Sequence, residues 1–381
     1  MKIGFFTDGY LPQLNGVATS VEGWTEALKK LGHKVYVIAP SFPNYKDEKE
    51  DVIRISSVRL LKQPDIRLGF PLSRKSMTQI IKLKLDIVHA TSGGSISTLG
   101  LMVARAKKIP YVFTYYTRFN HYTHYLSGGK IIKPQMIEWL SRIFCNRCDA
   151  IIVPMAKIKD ELLSFGVKKP IVVIPSGVDT TKFRKQERGF LRKKLKIKKG
   201  RILLYIGRLE KEKSVDFLIR AFAKIYLEDP SVNLVLIGDG KEEVKLRKLA
   251  KELNIEKNAY FAGLINRDGI SKVFADAEIF VFASTTETQG MVILEALASG
   301  LPVVAVKDAV YDKVIKNKVN GILADNDPQK FAEECLKILN NSSYRQKLSD
   351  NASKSMQDFS ISKTAQSFEK LYGKLITQKN K

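Results

Sequence analysis

Short apolar runs alternate with amphipathic stretches from one end of the chain to the other. In the first half the runs lie near 2–7, 34–39, 52–57, 86–91, 110–115, 149–153 and 171–174. Helical periodicity near 16–31, 73–85, 95–107, 131–147 and 155–165 separates most of them. The second half repeats the scheme, with runs near 201–206, 232–237, 258–262, 278–283, 302–306 and 320–323. Strand-length runs separated by helical segments are the signature of parallel βαβ units. The pattern therefore predicts an α/β protein of two doubly wound halves, an N-terminal domain over 1–180 and a C-terminal domain over 181–361. No short sequence repeat is visible, so the likeness of the halves is architectural. The Lys- and Arg-rich stretch 175–200 is predicted to link them, and a final helix lies within 362–381.

Composition narrows the class. At 381 residues the chain is long enough for two ordinary domains, each with its own core. Hydrophobic content of 44% with 27% charged residues fits a soluble globular protein. The run Ile3 to Phe6 is followed at once by Asp8, so no secretory signal is expected. No window of about 20 residues is apolar enough to span a bilayer. Three cysteines make no disulfide framework and point to a reducing cytoplasm. The Cys145-Cys148 pair has no second pair for zinc and reads as structural.

The formal net charge is +25, and it is concentrated. Residues 54–147 hold sixteen Lys and Arg against Asp65, Asp86 and Glu138, while 184–201 hold ten against Glu187. Such a surface suits nucleic acid or an anionic membrane. No nucleic-acid module is recognisable, which leaves the membrane. Residues 69–85 read as a basic interfacial helix, Leu72, Met77, Ile80, Ile81, Leu83 and Leu85 on one side and Arg74, Lys75, Lys82 and Lys84 flanking them. A crossover helix packed on its sheet would show the same pattern. A second basic amphipathic stretch, Lys130 to Arg147, adds Lys130 and Lys133 to the membrane-binding set, with Trp139, Ile143 and Phe144 as its apolar residues. The expected location is cytoplasmic, peripheral on the inner face of the cell membrane.

The chemistry concentrates in Glu287-Thr288-Gln289-Gly290-Met291-Val292 and Glu295. Glu287 sits in a loop after an apolar run, and Glu295 lies about a turn and a half into the helix opened by Gly290. Side chains on a helix lean toward its N-terminus, so Glu295 leans toward the loop of Glu287. Between them the free amides of Gly290, Met291 and Val292 offer a seat for phosphate. Two carboxylates beside an anion site suit a ligand with hydroxyls at both ends and phosphates between, which describes a nucleotide sugar. An amphipathic helix with exposed glutamates would share the spacing. Arg208 and Lys213 follow the run 201–206, at the carboxyl end of a predicted strand, where open α/β sheets bind ligands. Near the start, strand 2–7 runs into a loop from Asp8 to Val17 whose Gly16 begins a helix. The one Asp-x-Asp, Asp325-Asn326-Asp327, precedes Pro328 and reads as a helix N-cap rather than a metal site. The Gly238-Asp239-Gly240 turn reads as a strand-to-helix connection, because a dinucleotide fingerprint needs a third glycine.

Together these segments resemble a retaining glycosyltransferase of the GT-B type in glycosyltransferase family 4, the large family with the E-x7-E signature. The resemblance covers nearly the whole chain, including Pro175-Ser176-Gly177-Val178-Asp179. It implies two Rossmann-like domains facing a central cleft, with the last helix crossing back to the first domain. It further implies that Glu295 binds ribose hydroxyls, Glu287 the transferred sugar, and Arg208 and Lys213 the leaving diphosphate, with Gly16 letting the first domain's loop approach. Arg208, Lys213 and Glu287 are then the catalytic set. Retention by front-face attack, with no metal and no cofactor, is the family's precedent. The segments Phe6-Thr7-Asp8, Gly16 to Ser20 and Tyr122-Thr123-His124-Tyr125 resemble bacterial diacylglycerol glycosyltransferases. The expectation is transfer of glucose or galactose from a UDP-sugar to a lipid hydroxyl, most simply that of diacylglycerol. The rivals are a transferase with a soluble or polyprenyl-linked glycan acceptor, and a nucleotide-sugar-binding protein without activity.

One departure stands out. Where the family carries a histidine after the strand at 111–114, this chain has Tyr115-Tyr116-Thr117, which puts Tyr116 in the histidine's place. An acidic residue expected soon after is replaced by Asn120 or His121. Asp8, Tyr116, His121 and His124 are the predicted acceptor-side residues. Tyr116 either faces the donor sugar or packs at the cleft wall.

Overall fold

The computed structural model describes residues 1–13, 15–47, 49–60, 63–70, 74–116, 134–183 and 187–379. The chain divides into two compact units, Met1–Gly177 with Ile361–Lys381, and Val178–Ser360.

In chain order the first unit comprises β1 (Lys2–Phe6), α1 (Gly16–Lys30), β2 (Lys34–Pro40), β3 (Val52–Ile55), β4 (Ser57–Leu60), β5 (Gln63–Gly69), α2 (Arg74–Lys82), β6 (Ile87–Ala90), α3 (Ser95–Lys107), β7 (Tyr111–Thr114), α4 (Pro134–Cys145), β8 (Ala150–Val153), α5 (Ala156–Ser164) and β9 (Ile171–Val173). Seven strands form a parallel sheet in the order β3-β2-β1-β6-β7-β8-β9. β6, β7 and β8 are buried along their whole length, as strands covered on both faces must be, which is why they read as unbroken apolar runs. β4 and β5 form a separate antiparallel hairpin that the sequence pattern did not predict.

β1 shows how the faces are filled. Ile3 and Phe5 join Val21, Trp24 and Leu28 of α1 in one core cluster. On the other side Phe6 packs on Gly100 of α3, where an added Cβ would come within 2.8 Å of its ring. Leu85 covers Gly4. His89 lies within the sheet, fully buried. Its Nδ1 is 2.6 Å from the Tyr372 hydroxyl and its Nε2 is 2.6 Å from Thr114 Oγ1. Burial pushes its pKa down to about 3, so the ring is neutral. Tyr372 and Phe368 come from the last helix of the chain, Ile361–Lys379, which packs in the same cluster as α1.

The second unit contains α6 (Thr180–Phe183), α7 (Phe190–Leu195), β10 (Ile202–Ile206), α8 (Val215–Glu228), β11 (Asn233–Ile237), α9 (Glu243–Glu252), β12 (Ala259–Gly263), α10 (Arg267–Val273), β13 (Ile279–Phe282), α11 (Met291–Ala298), β14 (Val303–Val306), β15 (Gly321–Ala324), α12 (Pro328–Asn340) and α13 (Ser342–Ser355). The helix Ile361–Lys379 completes the series as α14. The six strands are parallel, ordered β12-β11-β10-β13-β14-β15. The order reverses at β10, between its neighbours β11 and β13, the kind of switch point at which such sheets bind ligands.

The boundary between the units falls at the start of the stretch expected to link them, and its described residues from Val178 onward belong to the second unit. Its α7 is seated by Asp276, whose carboxylate accepts from the amide of Leu191 at 2.6 Å, and Leu191 is fully buried. The charged surface of α7 hid this one apolar anchor. Asp327 caps α12, accepting from Lys330 N at 2.9 Å with proline in the first turn, as its sequence position suggested. Gly238-Asp239-Gly240 connects β11 to α9 as expected.

Candidate active site

The candidate donor-site residues gather at the carboxyl ends of β10 and β13. The loop after β10 is held first by glycines. Gly238 has φ +135°, and a Cβ there would fall 1.9 Å from the Gly207 carbonyl. The Leu209 amide donates to Asp239 O at 2.7 Å, so the β11–α9 turn is a saddle for the loop carrying Arg208. The Tyr205 hydroxyl, buried at the end of β10, donates to Arg208 O at 3.0 Å. Burial, with the Glu287 charge behind it, pushes this phenol well above its ordinary pKa, so it stays a donor. Arg208 places its half-exposed guanidinium 2.9 Å from the buried carboxylate of Glu212.

Residues 211–213 form a short 3-10 turn that carries Lys213 inward, 8% exposed. Its Nζ donates to Glu287 Oε1. A buried ammonium this far from water needs such a partner. The loop after β13 that brings Glu287 is tied down by Ser284, whose hydroxyl donates to Glu212 O at 3.3 Å and whose carbonyl accepts from Tyr311 OH at 2.6 Å. The two loops are thus stitched to each other directly.

α11 begins immediately afterward. Gly290 is its N-cap with φ +75°, and no side chain among the described residues caps it there. Only glycine adopts that conformation without strain. The first amides of a helix have no intrahelical partner, so this end carries a partial positive charge beside Lys213. Thr288 and Gln289 lie in the connecting turn, Gln289 buried. Met291, Val292 and Glu295 are half-buried. The arrangement offers a buried ammonium, an exposed guanidinium and a helix N-terminus to an anion, with carboxylates of Glu287 and Glu295 for hydroxyl groups. Tyr205, Glu212, Ser284 and Tyr311 were missed by the sequence reading. Glu212 lies between Arg208 and Lys213 in the segment already singled out, the others in no recognisable motif; all four act as supports.

In the first unit, Asn15 caps α1 by accepting from Ala18 N at 2.9 Å, and the exposed Gly16 is the first helical residue. The preceding loop is clamped by Arg54, which sequence reading counted only as charge. Its guanidinium donates to Leu11 O at 2.7 Å and Pro40 O at 2.8 Å, and forks onto Asp47 at 2.6 and 2.8 Å. Asp8 is committed to α3. Its carboxylate accepts from Ile96 N at 2.9 Å and Ser92 Oγ at 2.8 Å, and Gly94 gives it room, since a Cβ there would meet it at 2.6 Å. Of the two roles open to Tyr116, the geometry takes packing. Its ring stacks on Trp24 at 5.6 Å and its hydroxyl donates to Ser176 at 2.9 Å. His121 and His124 lie outside the described residues.

The membrane residues divide. Lys130 and Lys133 lie outside the described residues, and the Arg74 and Lys75 side chains do as well. Lys82 and Lys84 are exposed. In the stretch 69–85, α2 ends at Lys82; Ile80 is 1% exposed and Leu85 8%, packed as in a crossover helix, while Ile81 is 46% exposed. In α4, Phe144 packs edge-on against Phe113 at 4.8 Å, while Trp139 points outward. Cys145 and Cys148 are buried free thiols, the former pushed up to about 12 by burial. Among the described residues no helix is long and apolar enough to cross a membrane.

The chain is similar to known proteins over nearly its whole length. Residues 187–355 match the family "Glycosyl transferases group 1" and residues 14–182 match "Glycosyltransferase Family 4". The chain is 36% identical to the alpha-monoglucosyldiacylglycerol synthase of Streptococcus pneumoniae, over 85% of this chain and 75% of that protein. It is 33% identical to the alpha-monoglucosyldiacylglycerol synthase of Acholeplasma laidlawii, over 100% of this chain and 99% of the relative. Among solved structures, Anabaena Alr3699/HepE in complex with UDP and glucose superposes with a TM-score of 0.79, covering 98% of this chain and all of that one at 20% identity. That likeness is one of fold.

Proposed function

This chain belongs to glycosyltransferase family 4, with the GT-B fold, and from that membership we propose that it moves glucose from UDP-glucose to a hydroxyl of diacylglycerol with retention of configuration. The observation that carries the acceptor is the 33% identity over 100% of the chain to a protein named for that reaction. The second unit supports the donor. A diphosphate needs cations and amides, which Lys213, Arg208 and the α11 N-terminus supply. Ribose and hexose need acceptors for their hydroxyls, which Glu295 and Glu287 supply.

In the reaction the bond from the anomeric carbon to the diphosphate oxygen breaks and a bond to the acceptor oxygen forms on the same face. The acceptor proton passes to the departing phosphate. Negative charge grows on that phosphate, and groups fixed in advance around it lower the barrier by a few kcal/mol each. Lys213 is suited to this because its stem is buried. Release from Glu287 to the phosphate would free the carboxylate for a hexose hydroxyl. UDP-glucose carries an α anomeric bond, so an α-glucosyl product, as the relatives' names state, corresponds to retention.

The lipid acceptor requires work at a membrane surface, which the basic first unit favours. Incubation with several UDP- and GDP-sugars and a lipid extract, followed by thin-layer separation, tests the proposal. A glucolipid formed from UDP-glucose and diacylglycerol is expected. Transfer only to a soluble or polyprenyl-linked acceptor, or none to any, would overturn it.

A further inference from the structure

The outer side of α4 is apolar. At 100° per residue, Met136, Trp139, Leu140 and Ile143 fall within an arc of about 100°. Met136 is 40% exposed, Trp139 50% and Leu140 47%, with Ile143 half-buried. The inward arc is separately filled by Ile137, Ser141 and Cys145. The helix is therefore apolar on two sides, and among the described residues only one is used by the fold. A helix that serves only to cover its sheet is polar on the outside.

A separate apolar hollow lies on α3. A pocket of about 580 Å³ is lined by Leu101, Met102, Arg105 and Arg147, and Met102 is 58% exposed. Arg105 Nη2 donates to Arg147 O at 2.7 Å, joining α3 to the segment after α4. On the other flank Arg142 borders a second pocket with Lys168 and Lys169. Exposed apolar side chains, including a tryptophan, on a helix that also carries the exposed Arg142, with further cations in neighbouring segments, are complementary to a bilayer with anionic head groups.

We infer that the outer face of α4 is the element by which the first unit enters an anionic lipid surface, Trp139 and Leu140 inserting at the level of the head groups while Arg105, Arg142 and Arg147 pair with lipid phosphates. This rests on the lipid-acceptor reading and deepens it. Membrane binding then has a part that salt does not remove, in addition to the screened attraction of Lys82, Lys84 and the other surface cations.

The chain holds two tryptophans, and Trp24 is 1% exposed, so Trp139 is a built-in reporter. The experiment adds vesicles of phosphatidylglycerol and phosphatidylcholine, with and without chain-brominated lipid, to wild type and to Trp139→Phe, and measures emission and co-sedimentation. Wild-type emission is expected to shift to the blue and be quenched by brominated chains, with no change in Trp139→Phe. Leu140→Glu is expected to lower vesicle partitioning about tenfold, equivalent to about 1.4 kcal/mol, at both low and high salt. It should keep transfer to detergent-dispersed diacylglycerol. Sedimentation with unchanged emission would overturn the inference and leave the lipid-acceptor reading intact. Failure to sediment at all would overturn it too, and detergent-dispersed transfer then decides that reading separately. A dimer in solution abolished by Leu140→Glu, without quenching by lipid, would assign the face to a second copy of the chain and also overturn it.

Discussion

Lys213 and Glu287 stand 74 positions apart in sequence and form an ion pair where the loops after β10 and β13 meet. Both side chains are largely shielded, 10% and 20% exposed, so neither charge is dissipated in solvent. The pair keeps a cation in a site that suits a diphosphate. Removing the carboxylate and removing the ammonium change the charge of the site in opposite directions, and the two single variants should therefore differ in kind.

Glu287→Gln removes the carboxylate charge that faces Lys213. UDP should bind as well as to wild type or more tightly, while transfer falls by about 10²-fold through loss of the contact to the hexose. Calorimetric UDP binding and steady-state transfer rates separate the effects; weaker UDP binding would contradict this assignment. Lys213→Ala should lower transfer by about 10²–10³-fold, and Arg208→Ala, whose guanidinium is half in solvent, by less.

Gly238→Ala puts a Cβ 1.9 Å from the Gly207 carbonyl at φ +135°. The loop carrying Arg208 must move. UDP affinity should drop tenfold or more, with a loss of about 1–3 kcal/mol in denaturant stability. Unchanged affinity and stability would show that the loop is not held from below.

Tyr116→Phe removes one hydrogen bond to Ser176 and keeps the stack on Trp24. The expected cost is about 1 kcal/mol of stability, with transfer rate and donor preference near wild type. A large fall in transfer at normal stability would place the phenol against substrate after all.

His89 gives the first unit a pH dependence. Its folded pKa, about 3, lies below the unfolded value of about 6.5, so the unfolded chain binds the extra proton first. The contribution of His89 is complete above pH 6.5 and is lost as pH falls from there toward 3, at about 1.4 kcal/mol per unit. Between pH 6.5 and 5 wild type should lose about 2 kcal/mol more than His89→Gln in urea titrations. Parallel pH profiles for the two would refute the burial argument.

Much of this was legible in the sequence for specific reasons. The strands of both sheets are apolar along their length, so their runs were read within a residue or two, and α3 at 95–107 was read as it stands. The β4–β5 hairpin was missed because its residues alternate with charges such as Arg59 and Arg67 and carry no strong turn signal. The stretch 175–200 was read whole as a linker because ten cations in 184–201 conceal the buried Leu191. At the candidate site, Glu287, Gly290 and Glu295 were singled out from their spacing and Arg208 and Lys213 from their place after a strand, and the structure brings Lys213 and Glu287 together. Their supports were not singled out, because Tyr311 and Ser284 act through a backbone carbonyl and a tertiary hydrogen bond that leave no periodic trace. Tyr116 and Asp8 were placed by likeness to a motif, whereas their partners, Ser176 and the α3 amides, exist only once the sheet is assembled. The α2 helix shows the limit of amphipathicity as a guide, since the same stripe serves a membrane or a sheet.

The most direct measurement of the central claim is the fate of radiolabelled glucose from UDP-glucose presented with diacylglycerol in anionic vesicles, with the anomeric configuration of the lipid product read by proton NMR. The expected result is an α-glucosyl diacylglycerol made by wild type and lost in Lys213→Ala at unchanged thermal stability. A β-linked product, label found only in free glucose, or full activity in Lys213→Ala would contradict it.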